Sequence, residues 1–215
     1  MDYVLSIIPQ MWLGTVESAK IFFLVIVLSL PLGMVLALGR VSTFAVIKKL
    51  IAAYVWILRG SPLMLQMLFV YFALPTIGVY FEDFTAAIIA FVFNYAAYFC
   101  EIFRSGIQAI PKGQYEAAHA LGMGYWQTLR RIILPQVIRI VLPPISNETI
   151  TLVKDTSLVY VLAMNDLMRT TRNLVQRDFS IVPFLVAAVF YLLATLLFTV
   201  GFERLERYYS RSSAD

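Results

Sequence analysis

The sequence predicts an all-α integral membrane protein of about five transmembrane helices. Its N-terminus lies outside, its C-terminus in the cytoplasm, and a cytoplasmic helix joins the third and fourth spans. Three observations carry this. Residues are 60% hydrophobic and only 14% charged, with mean hydropathy +0.80, where soluble domains carry about a quarter charged residues. The apolar residues come in uncharged runs, 21–39, 60–81, 84–100 and 179–202, and about 20 apolar residues span a bilayer as a helix. Finally, the basic residues lie between these runs, where they read as topology signals. The net charge of +4 is therefore no sign of a nucleic-acid partner, and membrane lipid is the expected surround.

In chain order, residues 1–15 contain Pro9 and Gly14 and read as an interfacial segment with Trp12 at headgroup level. Asp2, with no Lys or Arg before Lys20, does not fit a secretory signal peptide. The first span covers about 17–38, with Pro31 and Gly33 inside it. Lys48 and Lys49 precede the second span, about 51–74, in which Gly60-Ser61-Pro62 breaks the pattern. The third span, 84–107, stops at Pro111-Lys112-Gly113. A polar helical loop, 113–130, leads to a fourth span, 132–153, which Pro135, Pro143 and Pro144 should bend, since each removes a backbone donor. Residues 156–164 are too few to cross and read as a re-entrant piece before the fifth span, 179–202.

With the N-terminus outside, the cytoplasmic segments hold eleven Lys and Arg and the external ones five, Arg139 lying inside a span. That excess on one side is the positive-inside pattern and places 113–130 in the cytoplasm. The single Cys100 excludes a disulfide framework within the chain and sits in an apolar run, as a packing residue would. His119 is the only histidine, and metal sites need clustered ligands.

Two sets of polar residues interrupt the apolar pattern. Asn94, Tyr98, Glu101, Ser105 and Gln108 recur at helical spacing and share one face. A carboxylate in a span is expensive unless it faces a cavity or a partner, so Glu101 is a candidate to hold the ammonium of a small solute, or else pairs with Arg104 or Arg139. Lys154-Asp155-Thr156-Ser157 follows the proline-rich span. Its free backbone groups and hydroxyls could bind a carboxylate, or Asp155, Thr156 or Ser157 could cap a short helix.

The loop carries the most specific pattern. Glu116-Ala117-Ala118, then Gly122, Ile132, Leu134 and Pro135 resemble the EAA loop of bacterial ABC importer permeases. Arg59-Gly60-Ser61-Pro62-Leu63 with Gln66, the segment 94–114 around Glu101 and Arg104, and Lys154-Asp155-Thr156-Ser157-Leu158 are similar to three further blocks of that family's polar amino-acid uptake group. The resemblance implies a permease subunit that pairs with a second copy or a homologous permease. It implies a coupling helix docked on a dimeric ABC ATPase through Glu116, Ala117, Ala118, Gly122 and Arg130. An extracytoplasmic binding protein would deliver the amino acid, and the chain would sit in the bacterial cytoplasmic (inner) membrane.

The pathway residues are then Glu101, Asn94, Tyr98, Asp155, Thr156 and Ser157. The segment from Asp155 onward leans the substrate toward glutamate, aspartate or glutamine by resemblance alone. No G-x-x-x-x-G-K-[ST] occurs, so ATP and Mg belong on the partner and this chain needs no cofactor. A membrane enzyme built on Glu101, Asp155 and His119 is disfavoured because His119 and Asp155 fall on opposite sides of the membrane. An ion-coupled carrier or channel using Glu101, Glu148 and Arg139 is the alternative, and it leaves the EAA pattern without a purpose.

Overall fold

Helix α1 (Asp2–Val41) runs for 40 residues in the computed structural model, which describes residues 2–211. The expected interfacial segment and first span thus lie on one helix. Gly14, which reads as a breaker, is instead a contact point: a Cβ there would sit 2.9 Å from Asp166 O and Leu167 Cα. The small residue lets another backbone approach closely, as membrane helices commonly require.

Next come α2 (Ala45–Gly60) and α3 (Leu63–Leu68), the latter continuing through a π turn (Phe69–Ala73) and a 3-10 turn (Leu74–Ile77). The pair bends by 105°, so the second apolar stretch is an elbow where one span over 51–74 was expected. Ser61 precedes Pro62 and is extended at φ −119° and ψ 147°, the conformation that proline imposes on its predecessor.

Helix α4 (Asp83–Gln108) is the centre of the fold, with Ala87, Phe91, Ala96, Ala97, Phe99 and Cys100 fully buried. Its closest neighbour is α1, where a Cβ on Gly33 would lie 2.6 Å from Phe99 Cβ. Then follow α5 (Lys112–Ala120), α6 (Tyr125–Thr128) with a π turn (Leu129–Ile133), and α7 (Leu134–Asp155). Each π turn is followed by a Leu-Pro pair, and the leucine N–H reaches back five residues, Leu74 to Phe69 O and Leu134 to Leu129 O. A proline ring clashes with the carbonyl four residues earlier, and widening the preceding turn relieves that clash.

A 3-10 stretch (Thr156–Leu162) continues from α7 and ends at Ala163, which is left-handed at φ 64°. Helix α8 (Leu167–Asp178) is capped by Asp166, whose carboxylate accepts from Met168 N and Arg169 N. The expected caps Asp155, Thr156 and Ser157 make no such bond; Thr156 Oγ1 donates to Val153 O instead. Helix α9 (Val182–Arg211) follows, and of its large apolar side chains Leu185, Leu192, Leu193, Leu196 and Leu197 are exposed.

Among the described residues there is no strand, and α1, α4 and α9 are long and apolar enough to cross a membrane, with the α2–α3 elbow as a possible fourth crossing. Helix α7 has 22 residues but carries Arg139, Glu148, Lys154 and Asp155.

Candidate functional site

The elbow must dispose of the carbonyls that Ser61 and Pro62 leave without helical partners, and unpaired backbone groups are costly in an apolar surround. Gln66 Nε2 donates to Leu58 O at 2.8 Å and Ser61 O at 3.1 Å. Asn94 Nδ2 donates to Leu58 O and to Gln66 Oε1, both at 3.0 Å. Asn94 is buried at 4%. Its helical register is the one expected, but its amide is turned to the elbow rather than to an open path.

One turn further along α4, a cleft of about 420 Å³ opens beside Arg40, Trp56, Arg59, Tyr98 and Glu101. Glu101 is fully engaged there. Arg104 grips it with two parallel bonds, Nη2 to Oε2 at 2.6 Å and Nε to Oε1 at 3.0 Å, and Arg40 Nη2 adds a third contact to Oε1 at 3.4 Å. Bidentate guanidinium–carboxylate pairs are the strong form of this contact. Arg139, the other partner considered from sequence, instead lines a cavity with Glu203 and Glu206 at the end of α9. Arg59 lies over the Tyr98 ring, 5.0 Å from its centroid. Ser105 and Gln108 are exposed, and Gln108 Oε1 accepts from Arg104.

A second polar line runs from Tyr98 toward the end of α7. The Tyr98 and Tyr95 rings are 6.2 Å apart, and Tyr95 Oη donates to Asp155 Oδ2 at 2.7 Å. Thr156 is buried within the 3-10 turn, and Ser157 is half-buried beside it. The structure therefore places Tyr98 and Glu101 on one cleft and links Tyr98 to Asp155 only through the buried Tyr95, while Asn94 and Thr156 are themselves buried.

The loop 113–130 folds as two helices rather than one. Helix α5 begins at Lys112, before Glu116, ends at Ala120, and is closed at Gly122 (φ 75°), where Met123 N bonds Ala118 O and Gly122 N bonds His119 O. That is the Schellman closure, which calls for a left-handed glycine. Ala118 is buried against the fold. Glu116, Ala117, His119 and Arg130 are exposed, as are the large side chains of Leu121, Tyr125 and Trp126.

On the opposite side of the chain, α8 packs across α1. Ser18 Oγ accepts from Leu167 N, and Tyr3 Oη donates to Asp178 Oδ2 at 2.7 Å. Arg177 and Tyr3 hold the exposed Asp178 carboxyl down at about 2. Burial raises the fully enclosed Asp166 to about 6 against the pull of its two backbone N–H donors.

Residues 29–211 match the family described as binding-protein-dependent transport system inner membrane component. The chain belongs to this family of permeases. It is 37% identical to the arginine transport system permease protein ArtQ of Bacillus subtilis, over 93% of this chain and 92% of that one. It is likewise 37% identical to the glutamine transport system permease protein GlnP of Escherichia coli K12, over 89% and 91%. A solved amino acid ABC transporter superposes with TM-score 0.89 at 32% identity, covering 96% of this chain and 97% of that one. A methionine ABC transporter, MetNI, shares the fold at TM-score 0.71 and 18% identity.

The chain is thus a transport protein and not an enzyme, and permeases of this family need no cofactor of their own. Among the described residues no group of His, Cys, Asp and Glu is placed to hold a metal. Sequence reasoning about this permease missed Arg40 and Tyr95. Each meets its partner across about sixty positions, Arg40 to Glu101 and Tyr95 to Asp155, and no local spacing signals such a pair. The role of Gln66 was more accessible, because a polar amide just after a Ser-Pro break in an apolar run is an evident partner for the broken carbonyls.

Proposed function

We propose that this permease is the membrane-spanning subunit of an ATP-driven importer for a polar amino acid, held in the bacterial inner membrane. The observation that carries the reading is the α5–α6 hairpin. A chain this apolar presents Glu116, Leu121, Tyr125 and Trp126 on a short, Schellman-closed unit, a shape suited to fill a groove of a separate ATPase. ATP and Mg act on that subunit. A second copy or a homologous permease completes the pathway, and an extracytoplasmic binding protein delivers the substrate to the opposite face.

In this reading five crossings are formed by α1, the α2–α3 elbow, α4, α7 and α9, with the N-terminus outside. The Lys and Arg asymmetry supports that orientation. Helix α7 crosses despite its charges because it packs on α4 rather than facing lipid. The pathway follows Tyr98, Glu101, Asp155 and Ser157, with Asn94 and Thr156 shaping its wall. Permeases named for arginine, glutamine and cystine among the relatives support the amino-acid class.

The test is co-purification of the detergent-solubilised permease with its co-expressed ATPase, for wild type, Glu116→Lys and Gly122→Trp. Wild type should retain the ATPase and both variants should lose it. An inserted wild type that retains no ATPase turns the reading to an ion-coupled carrier, tested by uptake against ion gradients.

A further inference from the structure

Helix α7 covers one side of itself and leaves the other bare. Val137, Val141, Ser146, Thr149, Leu152 and Val153 are buried against the fold. On the opposite side Ile140, Pro144, Asn147, Thr151 and Lys154 form a stripe. Ile140, Asn147 and Lys154 are exposed, and Pro144 and Thr151 are half-buried. The steps along it are four, three, four and three residues, the 3.5-residue repeat by which one helix meets another along a seam.

The bare side of α9 carries Leu185, Leu192, Leu193, Leu196 and Leu197, a surface that suits acyl chains. The stripe on α7 is different in kind. Asn147 follows Leu134, the first residue of α7, by thirteen positions, about 20 Å along a helix rising ~1.5 Å per residue. That depth lies inside a hydrocarbon core of about 30 Å. The Asn147 amide has no hydrogen-bond partner among the described residues, and Thr151 Oγ1 donates to Asn147 O at 3.0 Å. Pro144 has no N–H, so the Ile140 carbonyl on the same stripe lacks its usual helical donor. Lipid tails satisfy none of these groups, whereas asparagine and threonine in membrane helices hydrogen-bond across to a neighbouring helix.

The stripe also says which helix that is. Two copies inserted the same way up are related by a two-fold axis along the membrane normal. Residues beside that axis meet their own counterparts at the same depth, so they must complement themselves. An asparagine amide does, because it both donates and accepts, and a threonine hydroxyl whose proton is already placed still accepts. Lys154 does not, but it is the second-last residue of α7, where its long stem can carry the ammonium out to water.

We infer that this stripe is the surface on which a second copy of the chain docks, α7 against α7, with the two Asn147 amides hydrogen-bonded across the axis. The inference rests on the importer reading above, in which α7 crosses the membrane, and it adds the face through which the copies pair. A single asparagine in a helix seam fixes register and chain number, and Asn147 has that role here.

The experiment uses the full chain with its lone cysteine removed by Cys100→Ala, co-expressed with its ATPase in membrane vesicles. Ile140→Cys, Asn147→Cys and Thr151→Cys are made singly, with Leu193→Cys as the control on the lipid side. Copper phenanthroline then oxidises close pairs, and a disulfide needs Cα atoms within about 7 Å. Asn147→Cys and Thr151→Cys should each give about tenfold more linked dimer than Leu193→Cys, since only facing positions meet that distance. In detergent, with Cys100 intact, Asn147→Ala should dissociate into monomers at about threefold or more higher concentration than wild type, through loss of the interhelical bond.

No linked dimer at any of the three stripe positions, in a chain that retains its ATPase, overturns the inference and leaves the importer reading standing. A membrane-impermeant maleimide then identifies the occupant: labelling of Asn147→Cys assigns the stripe to pathway water, and no labelling assigns it to lipid. Stripe cysteines linked only to a chain of different mass assign the face to a homologous permease and also overturn the inference. An unchanged dissociation in Asn147→Ala overturns the amide pair. Wild type that retains no ATPase removes the importer reading, while the cross-links still decide the seam.

Discussion

The Tyr95 hydroxyl donates to Asp155 Oδ2 across 2.7 Å, tying the middle of α4 to the last residue of α7. These are two of the helices on which the pathway is proposed to lie. Removing the hydroxyl leaves a half-buried carboxylate short of a partner. Tyr95→Phe should cost about 1–3 kcal/mol, read as a lower Tm of the purified chain in detergent. Asp155→Asn should cost less, and the double variant should lose less than the two singles added, because they share one bond. Additive losses would show that the bond contributes nothing.

Asp166 makes the docking of α8 pH-dependent. Burial raises its pKa from 3.8 to about 6. A carboxyl that binds its proton more tightly when folded favours the fold at low pH. That contribution is fully present below about 4, the unfolded value, and is lost as pH rises through about 6. The span is on the order of 3 kcal/mol at one pKa unit per 1.36 kcal/mol. Asp166→Asn keeps a good N-cap and has no charge to bury. The Tm difference, variant minus wild type, should grow between pH 4 and pH 6 and level off above. A flat difference would contradict the burial.

At Gly122 the backbone conformation, not the space, is the constraint. Its φ is 75°, yet a Cβ there would meet nothing within 4 Å. A β-branched residue costs about 1–2 kcal/mol in the left-handed region, and asparagine costs less. Gly122→Val should open the Schellman closure and lose the ATPase in co-purification, whereas Gly122→Asn should keep it. Equal retention by both would mean that the turn is not part of the docking surface.

Gly33 is the opposite case. A Cβ there would lie 2.6 Å from Phe99 Cβ and 3.1 Å from Ala96 O and Cys100 N, and backbone cannot step aside as a side-chain tip can. Gly33→Ala should lower stability by about 1–3 kcal/mol through overpacking. Gly201→Ala, on α9 with nothing within 4 Å, should raise it by about 0.5–1 kcal/mol through helix propensity. Thermal unfolding of the two in parallel gives the sign of each.

The helices and their apolar character were legible in the sequence because composition and run length report burial in lipid directly. The break at Gly60-Ser61-Pro62 was legible too, but not that it bends the second apolar stretch by 105° where one span was expected. The uninterrupted α1 was not: Gly14 looks the same in sequence whether it breaks a helix or admits a neighbour. The site was half legible. Helical spacing put Tyr98 and Glu101 on one face, but which carboxylate is already neutralised depends on Arg40, sixty-one residues before Glu101. Such charge balance is a property of tertiary contacts. The split of the loop into α5 and α6 escaped as well, since helix-compatible residues lie on both sides of Gly122, where the chain turns.

Helix α1, at 40 residues, is about 60 Å long at ~1.5 Å per residue, roughly twice the ~30 Å of a hydrocarbon core. Its early turns are clasped by α8 at Gly14 and Ser18, and its last turn carries the Arg40 that reaches Glu101. One rod therefore joins α8 to the charged cleft, with Pro31 as its one soft joint between those two grips. Apart from that joint, the backbone from Ser18 to Arg40 is one uninterrupted helix. The molecule thus has one strut that touches both α8 and the charged cleft, outside the proposed pathway.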